Sequence, residues 1–314
     1  MSKPRIKNQN TKPSRDKNYL VVTKYPENYK AHDLRTNKPV CFRDSPITGG
    51  DASMVIQEID TLELPSKING KKNSVDYIAP NNVGILLSIS NKSIVIAKEL
   101  FDNHIGTNNF ASPEGSDAKN GIITKTRLIY DYIESIQTCI VFGYTALEAF
   151  TNLSIPDNYE YKSDPNSKGV IEIYNKEAIE RWTSLKVKIS DILVDIYKTK
   201  NIKGLKLWSN FLIFEELRHD IIHQKTINHT DFYKKYFKKN LFEVFTIPED
   251  VIKFFFDNRQ EKEKTNPLWP WIINGNNDFP VSYDFKSKNF EIVGNLYEGF
   301  KKDYDVRENK ENHR

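Results

Sequence analysis

Residues 129–150 read IYDYIESIQTCIVFGYTALEAF, in which Ile129, Ile133, Ile136, Ile140, Gly143, Leu147 and Phe150 recur at alternating spacings of four and three. At 3.6 residues per turn such positions share one stripe of a helix, and no strand of ordinary length carries a stripe this long. The spacing predicts a helix over about 122–153, buried along its length against other helices. Gly143 lies in the seam, where the missing Cβ lets a neighbouring helix come close. Pro156 and a polar loop to about 175 end the element.

Working outward, the C-terminal side keeps the helical period. A second long helix is expected over 176–199, with Trp182, Leu185, Ile189, Ile192 and Ile196 on its stripe. A third follows Gly204 and carries LKLWSNFLIFEELRHDIIHQK, residues 205–225. Two shorter helices come next. One starts near Thr230-Asp231. The other contains VIKFFFDN, with Thr246 as its cap, Pro248 in its first turn and Glu249 at capping-box spacing. On the N-terminal side a short helix over 93–104 precedes a polar loop to about Asn120. Further upstream, from Tyr19 to about Ser90, the signals turn extended. LVV at 20–22, MVIQEIDTLEL at 54–64 and VGILLSIS at 83–90 read as strands between Pro, Gly and Asn punctuation.

The expected organisation is a flexible basic tail over 1–18, a β-containing subdomain over 19–91, a helical bundle over 92–258 and a C-terminal extension over 259–314. The class is mainly α, and α+β overall. Hydrophobic residues form 38% of the chain, enough for a real core and too many for global disorder. A net charge of +4 leans basic, which is compatible with a nucleic-acid partner without requiring one. Cys41 and Cys139 are too few and too far apart for a metal cluster or a disulfide framework. No Cys/His set has zinc spacing, and no Walker-type or dinucleotide-binding glycine pattern occurs, so neither metal nor cofactor is expected. Without an apolar leader or a run near membrane-spanning length, the chain reads as a cytoplasmic protein with no membrane partner.

Chemistry concentrates in the third helix. On a wheel of about 100° per residue, Leu207, Phe211, Phe214, Leu217 and Ile221 form the buried arc. Arg218 falls inside that arc. A guanidinium stays charged at any physiological pH, so a partner must face it: an acid, a second subunit or a phosphate. Glu148, on the long helix, is the acid to test first. Further along, Lys234, Lys235, Lys238 and Lys239 alternate with Tyr233, Tyr236 and Phe237. That mixture suits single-stranded RNA, and it equally suits an amphipathic helix with its lysines in water.

The run Leu217-Arg218-His219-Asp220-Ile221-Ile222-His223 resembles the signature of the HEPN superfamily, in which Arg, a polar residue, a partly apolar spacer and His lie late in a bundle helix. VFGYTALEAFTNL at 141–153 is similar to an early HEPN bundle helix, and the resemblance covers roughly 92–258. It implies metal-independent RNA endonuclease activity that leaves a 2′,3′-cyclic phosphate and a 5′-hydroxyl. Arg218 would hold the phosphate, His223 would act as general acid or base, and His219 would assist or orient. The resemblance also implies a homodimer and a role as toxin or abortive-infection effector in antiviral defence, with an antitoxin or sensor as partner. Some members are instead non-catalytic bundles for binding or dimerisation. One geometric point bears on all of this: Arg218 and His223 stand roughly 140° apart on an ideal wheel. A shared cleft between two protomers, or a helix that ends near His223, would relieve that separation.

Overall fold

The computed structural model describes residues 18–23, 33–37, 40–42, 54–68, 70–107, 110, 118–165, 167–223, 231–260, 281–282 and 291–294. Residues 1–17 of the expected basic tail, residues 224–230 and most of the expected C-terminal extension lie outside the described residues. The chain divides into two compact units, one of residues 1–30, 37–79 and 277–314, the other of 31–36 and 80–276.

The first unit is a six-stranded sheet. It begins with β1 (Asn18–Thr23), β2 (Val40–Phe42), β3 (Met54–Ile68) and β4 (Lys71–Ile78). The turn between β3 and β4 contains Gly70 at φ +75°, a conformation that L side chains rarely adopt.

The second unit is helical, with α1 (Asn82–Leu100), α2 (Ala118–Ser154), a hairpin of β5 (Glu160–Lys162) and β6 (Ile173–Asn175), then α3 (Lys176–Trp182), α4 (Leu185–Val187), α5 (Leu193–Tyr197), α6 (Lys206–Ile222), α7 (Asp231–Lys234) and α8 (Ile247–Asn258). The chain then returns to the sheet with β7 (Val281–Ser282) and β8 (Glu291–Gly294), so the sheet draws strands from both ends of the sequence. Its order is β7-β2-β3-β1-β8, with β4 also paired to β3. β1, β2 and β4 run antiparallel to β3, while β7 and β8 are parallel to their neighbours.

Three expectations fail in the helical unit. Residues 83–90 are not a strand but the first turns of α1, so helical structure starts at 82 rather than 93. Asn81 caps this helix by accepting a hydrogen bond from the Val83 N–H at 3.0 Å. The buried positions Val83, Leu87, Ser90, Ser93 and Ala97 have helical spacing, but two of them are serines and read as polar. The second long helix is broken. Thr183 is extended (φ −93°, ψ 132°), Ser184 restarts the chain by capping Val187, and a π-helical turn over Lys188–Ile192 joins α4 to α5. Trp182, expected on the buried stripe, is 69% exposed, with the Arg181 guanidinium 4.9 Å from its ring centre. Finally, Glu249 closes no capping box on α8. It accepts a hydrogen bond from Asn91 of α1 at 2.5 Å, while the Thr246 hydroxyl donates to Asp250 at 2.8 Å.

The long central helix holds. Ile136, Ile140, Leu147 and Phe150 of α2 are fully buried, in one core with Leu87 of α1, Phe211 and Phe214 of α6, and Val251 and Phe255 of α8. Gly143 sits where four helices meet. A Cβ there would lie 3.0 Å from Pro248, 3.1 Å from Ser90 and 3.2 Å from Phe214. Among the described residues no helix is long and apolar enough to cross a membrane.

Candidate active site on helix α6

Helix α6 buries Phe211, Phe214 and Leu217 and half-buries Leu207 and Ile221, the stripe its sequence predicts. The Phe214 ring reaches the Gly143 position of α2, which fixes how closely the two helices cross. The next residue after Leu217 therefore enters the α2 interface. Arg218 is half-buried, and its guanidinium lies 4.7 Å from the centre of the Tyr144 ring. A flat cation over an aromatic face is held by the ring quadrupole, an attraction that uses none of its N–H donors.

Glu148 is not the partner of Arg218. Among the described residues no carboxylate oxygen comes within 4.0 Å of that guanidinium. Glu148 instead acts electrostatically on Lys188, a residue of the π-helical turn that is 1% exposed. The Lys188 ammonium donates to Asn152 Oδ1 at 2.8 Å and to the Glu180 carbonyl at 3.1 Å. Burial holds its pKa below the usual lysine value, and the Glu148 and Glu180 charges oppose that fall.

Tyr144 completes the cluster. It is 8% exposed, and burial, more than any neighbour, pushes its phenol pKa upward; Glu215 adds to the rise through charge and a hydrogen bond. Glu215 is in turn ion-paired with Lys186 at 2.7 Å. The acid beside Tyr144 thus has its own cation, and Arg218 keeps the ring. Tyr144 and Glu215 were not among the residues expected at the site. The available signal was the i, i+4 relation of Tyr144 to Glu148, which put both on the face nearest an arginine in search of a partner.

The histidines lie at the far end of α6. The helix stops at Ile222, and His223 leaves helical geometry at φ −113°, ψ 35° with its N–H bonded to the His219 carbonyl at 2.9 Å. Both imidazoles are exposed, and their ring centres are 4.6 Å apart. The structure brings His219 and His223 together and sends Arg218 inward to a different side of the helix.

Asp220, between them, is ion-paired with Lys235, which removes Lys235 from the expected set of free RNA-binding lysines. Lys234 pairs with Asp231 one turn earlier. Lys238 is exposed, and the Lys239 side chain lies outside the described residues. Of the nearby aromatics, Tyr236 is fully buried and cannot stack on a base, whereas Tyr233 and Phe237 are half-buried.

Among the described residues no group of three or more His, Cys, Asp and Glu side chains is placed to hold a metal ion. Comparison of the chain with protein-family models, with curated proteins and with solved structures finds no match.

Proposed function

We propose that this protein is a HEPN-type, metal-independent RNA endonuclease whose chemistry is carried by Arg218 and His223. The observation behind this reading is the state of Arg218: a guanidinium half-buried on the Tyr144 ring, with no carboxylate partner among the described residues, four and five positions from Ile222 and His223 at the helix end. A cation held by a ring face keeps its planar N–H edge for an oxyanion, and a phosphodiester presents two non-bridging oxygens that match that edge.

The reaction needs little else. The RNA 2′-oxygen attacks the adjacent phosphorus as its proton leaves, forming the 2′,3′-cyclic phosphate. The P–O5′ bond breaks, and the departing 5′-oxygen takes up a proton. Arg218 stabilises charge gathering on the non-bridging oxygens, and His223 moves one of the two protons. His219, in ring contact with His223, orients it. The HEPN resemblance, rather than these residues, supports a role as a cytoplasmic toxin or antiviral effector, released or restrained by an antitoxin or sensor partner.

The test is incubation of purified protein with mixed RNA in excess EDTA, beside the Arg218→Ala and His223→Ala variants. Wild type should cut and leave cyclic phosphate ends, while each variant should lose at least about a hundredfold, the scale of a lost acid–base or charge-stabilising group. Cleavage that survives both substitutions would sink the assignment. One observation favours a second reading, a non-catalytic HEPN bundle for binding or dimerisation: Arg218 and His223 leave α6 on different sides. RNA binding or self-association without cleavage in the same experiment would select it.

A further inference from the structure

Between α2 and the segment 231–237 lies a cavity of about 680 Å³. Its size falls within the range of small-ligand pockets, roughly 300–1,000 Å³. Ile129 and Ile133 of α2 give it an apolar wall, and the Tyr233 and Phe237 rings face them from the other side. On the α2 side the polar groups are the Glu134 carboxylate, the Gln137 amide and the Thr138 hydroxyl, within little more than one turn, with Tyr130 beside them. Lys234 is the cation at the wall, and its ion pair with Asp231 is well exposed, at 76% and 69% of the two side chains, so it exchanges for another anion at small cost.

The opposite wall is anchored on both sides. The Tyr132 hydroxyl donates to the Tyr236 carbonyl at 2.7 Å, tying the 231–237 segment to α2. The Lys235–Asp220 ion pair ties the same segment to α6 between Arg218 and His223.

A planar solute with apolar faces, hydrogen-bonding edges and an attached phosphate matches this arrangement term by term. We propose that the cavity takes a purine base of the RNA strand. The faces lie against the isoleucines and aromatic rings, where stacking serves any base. The edge decides which base. A carboxylate accepts and cannot donate, whereas an amide does both. Glu134 therefore requires N–H donors, and Gln137 can donate to the neighbouring acceptor. Guanine offers N1–H and N2–H side by side with O6 next to them, and adenine offers N6–H beside N1. Lys234 stands ready for a phosphate of the same strand. This inference deepens the nuclease reading and rests on it for the identity of the strand.

The experiment is calorimetric titration of the full chain with each of the four ribonucleosides in EDTA. Nucleosides carry no phosphate, so the measurement does not depend on Arg218. Guanosine and adenosine should bind saturably, guanosine more tightly, and Arg218→Ala should bind them as wild type does. Glu134→Ala, at an exposed position of α2, and Gln137→Ala, at a half-buried one, should each weaken purine binding about tenfold with the circular dichroism spectrum unchanged. Absence of purine binding at millimolar concentration, a preference for pyrimidines, or indifference to both substitutions would overturn the proposal. So would loss of nucleoside binding on self-association, which would assign the groove to a second copy. Purine binding without RNA cleavage would leave the pocket standing and remove the nuclease, while cleavage with nucleosides ignored would do the reverse.

Discussion

Two cations enter the α2 interface, and the protein treats them differently. Lys188 is sealed in and solvated by two neutral oxygens, with Glu148 and Glu180 acting on it through their charge. Arg218 is half-buried and leans on an aromatic face. The lysine arrangement satisfies donors, so its ammonium serves the structure. Among the described residues the arginine arrangement engages no carboxylate, which leaves donors for an anionic ligand. On the nuclease reading Tyr144 therefore holds Arg218 in place without competing for its N–H groups. Removing the ring should cost the cation–π attraction, about 0.5–2 kcal/mol, or roughly a two- to thirtyfold fall in kcat/KM. Tyr144→Leu should show that fall in single-turnover RNA cleavage. Tyr144→Phe keeps the ring, loses only the contact with Glu215, and should stay within about threefold of wild type. A Leu variant as fast as wild type would mean that the ring does not position the guanidinium.

Elements are placed by how near they can come, and Gly143 sets the nearest approach in the helical unit. Its neighbours are Ser90 of α1, Phe214 of α6 and Pro248 of α8, all within 3.2 Å of where a Cβ would stand. Alanine would crowd them by a few tenths of an ångström and regain about 1 kcal/mol of helix propensity. Leucine has no such compensation. Gly143→Leu should lower stability by about 2–3 kcal/mol, seen as a lower urea midpoint with the m-value retained; an unchanged midpoint would contradict close packing at this crossing.

The role of Gly143 was legible because apolar residues on either side of it kept a strict four-and-three rhythm. The first half of α1 was not legible, because its buried stripe runs through Ser90 and Ser93. Serine is small enough for helices to pack closely, yet polar enough to vanish from a hydrophobic pattern. Ser90 is satisfied only across the interface, where its hydroxyl donates to the Cys139 carbonyl at 3.0 Å. The break at Thr183-Ser184 was hidden for a related reason: apolar residues recur through it, and a local Ser cap overrides their rhythm. At the site, Arg218 and His223 could be read from one helix. Tyr144 and Glu215 could not be assigned, because their roles depend on a contact between positions some seventy residues apart in sequence.

At the scale of the whole molecule, the exposed side of α6 carries the unsettled chemistry. Leu212, 36% exposed, lies on the same stripe of the helix as His219 and His223, while Ile213 and Ile222, 46% and 49% exposed, flank that stripe on opposite edges. Arg218 points the other way, toward Tyr144. Within one chain the imidazole and the guanidinium thus diverge from a common axis. A two-fold axis beside the exposed stripe of α6 would cover Leu212 and set the histidines of one protomer facing the motif of the other, since an isologous interface presents each patch to itself. On this reading the enzyme is a homodimer, and its site is incomplete in the monomer. Sedimentation velocity at micromolar concentration should then give a dimer. Leu212→Asp places a charge on the exposed histidine stripe, where it leaves the core untouched but opposes its own copy across the axis. That variant should sediment as a monomer, keep the wild-type circular dichroism spectrum and lose RNA cleavage together with the dimer. Mixing it with an excess of an Arg218→Ala protein that still dimerises should recover part of the activity only if the two motifs act across the interface. A wild-type chain that cuts RNA while remaining strictly monomeric would rule out the shared site and require His223 to reach Arg218 within one molecule.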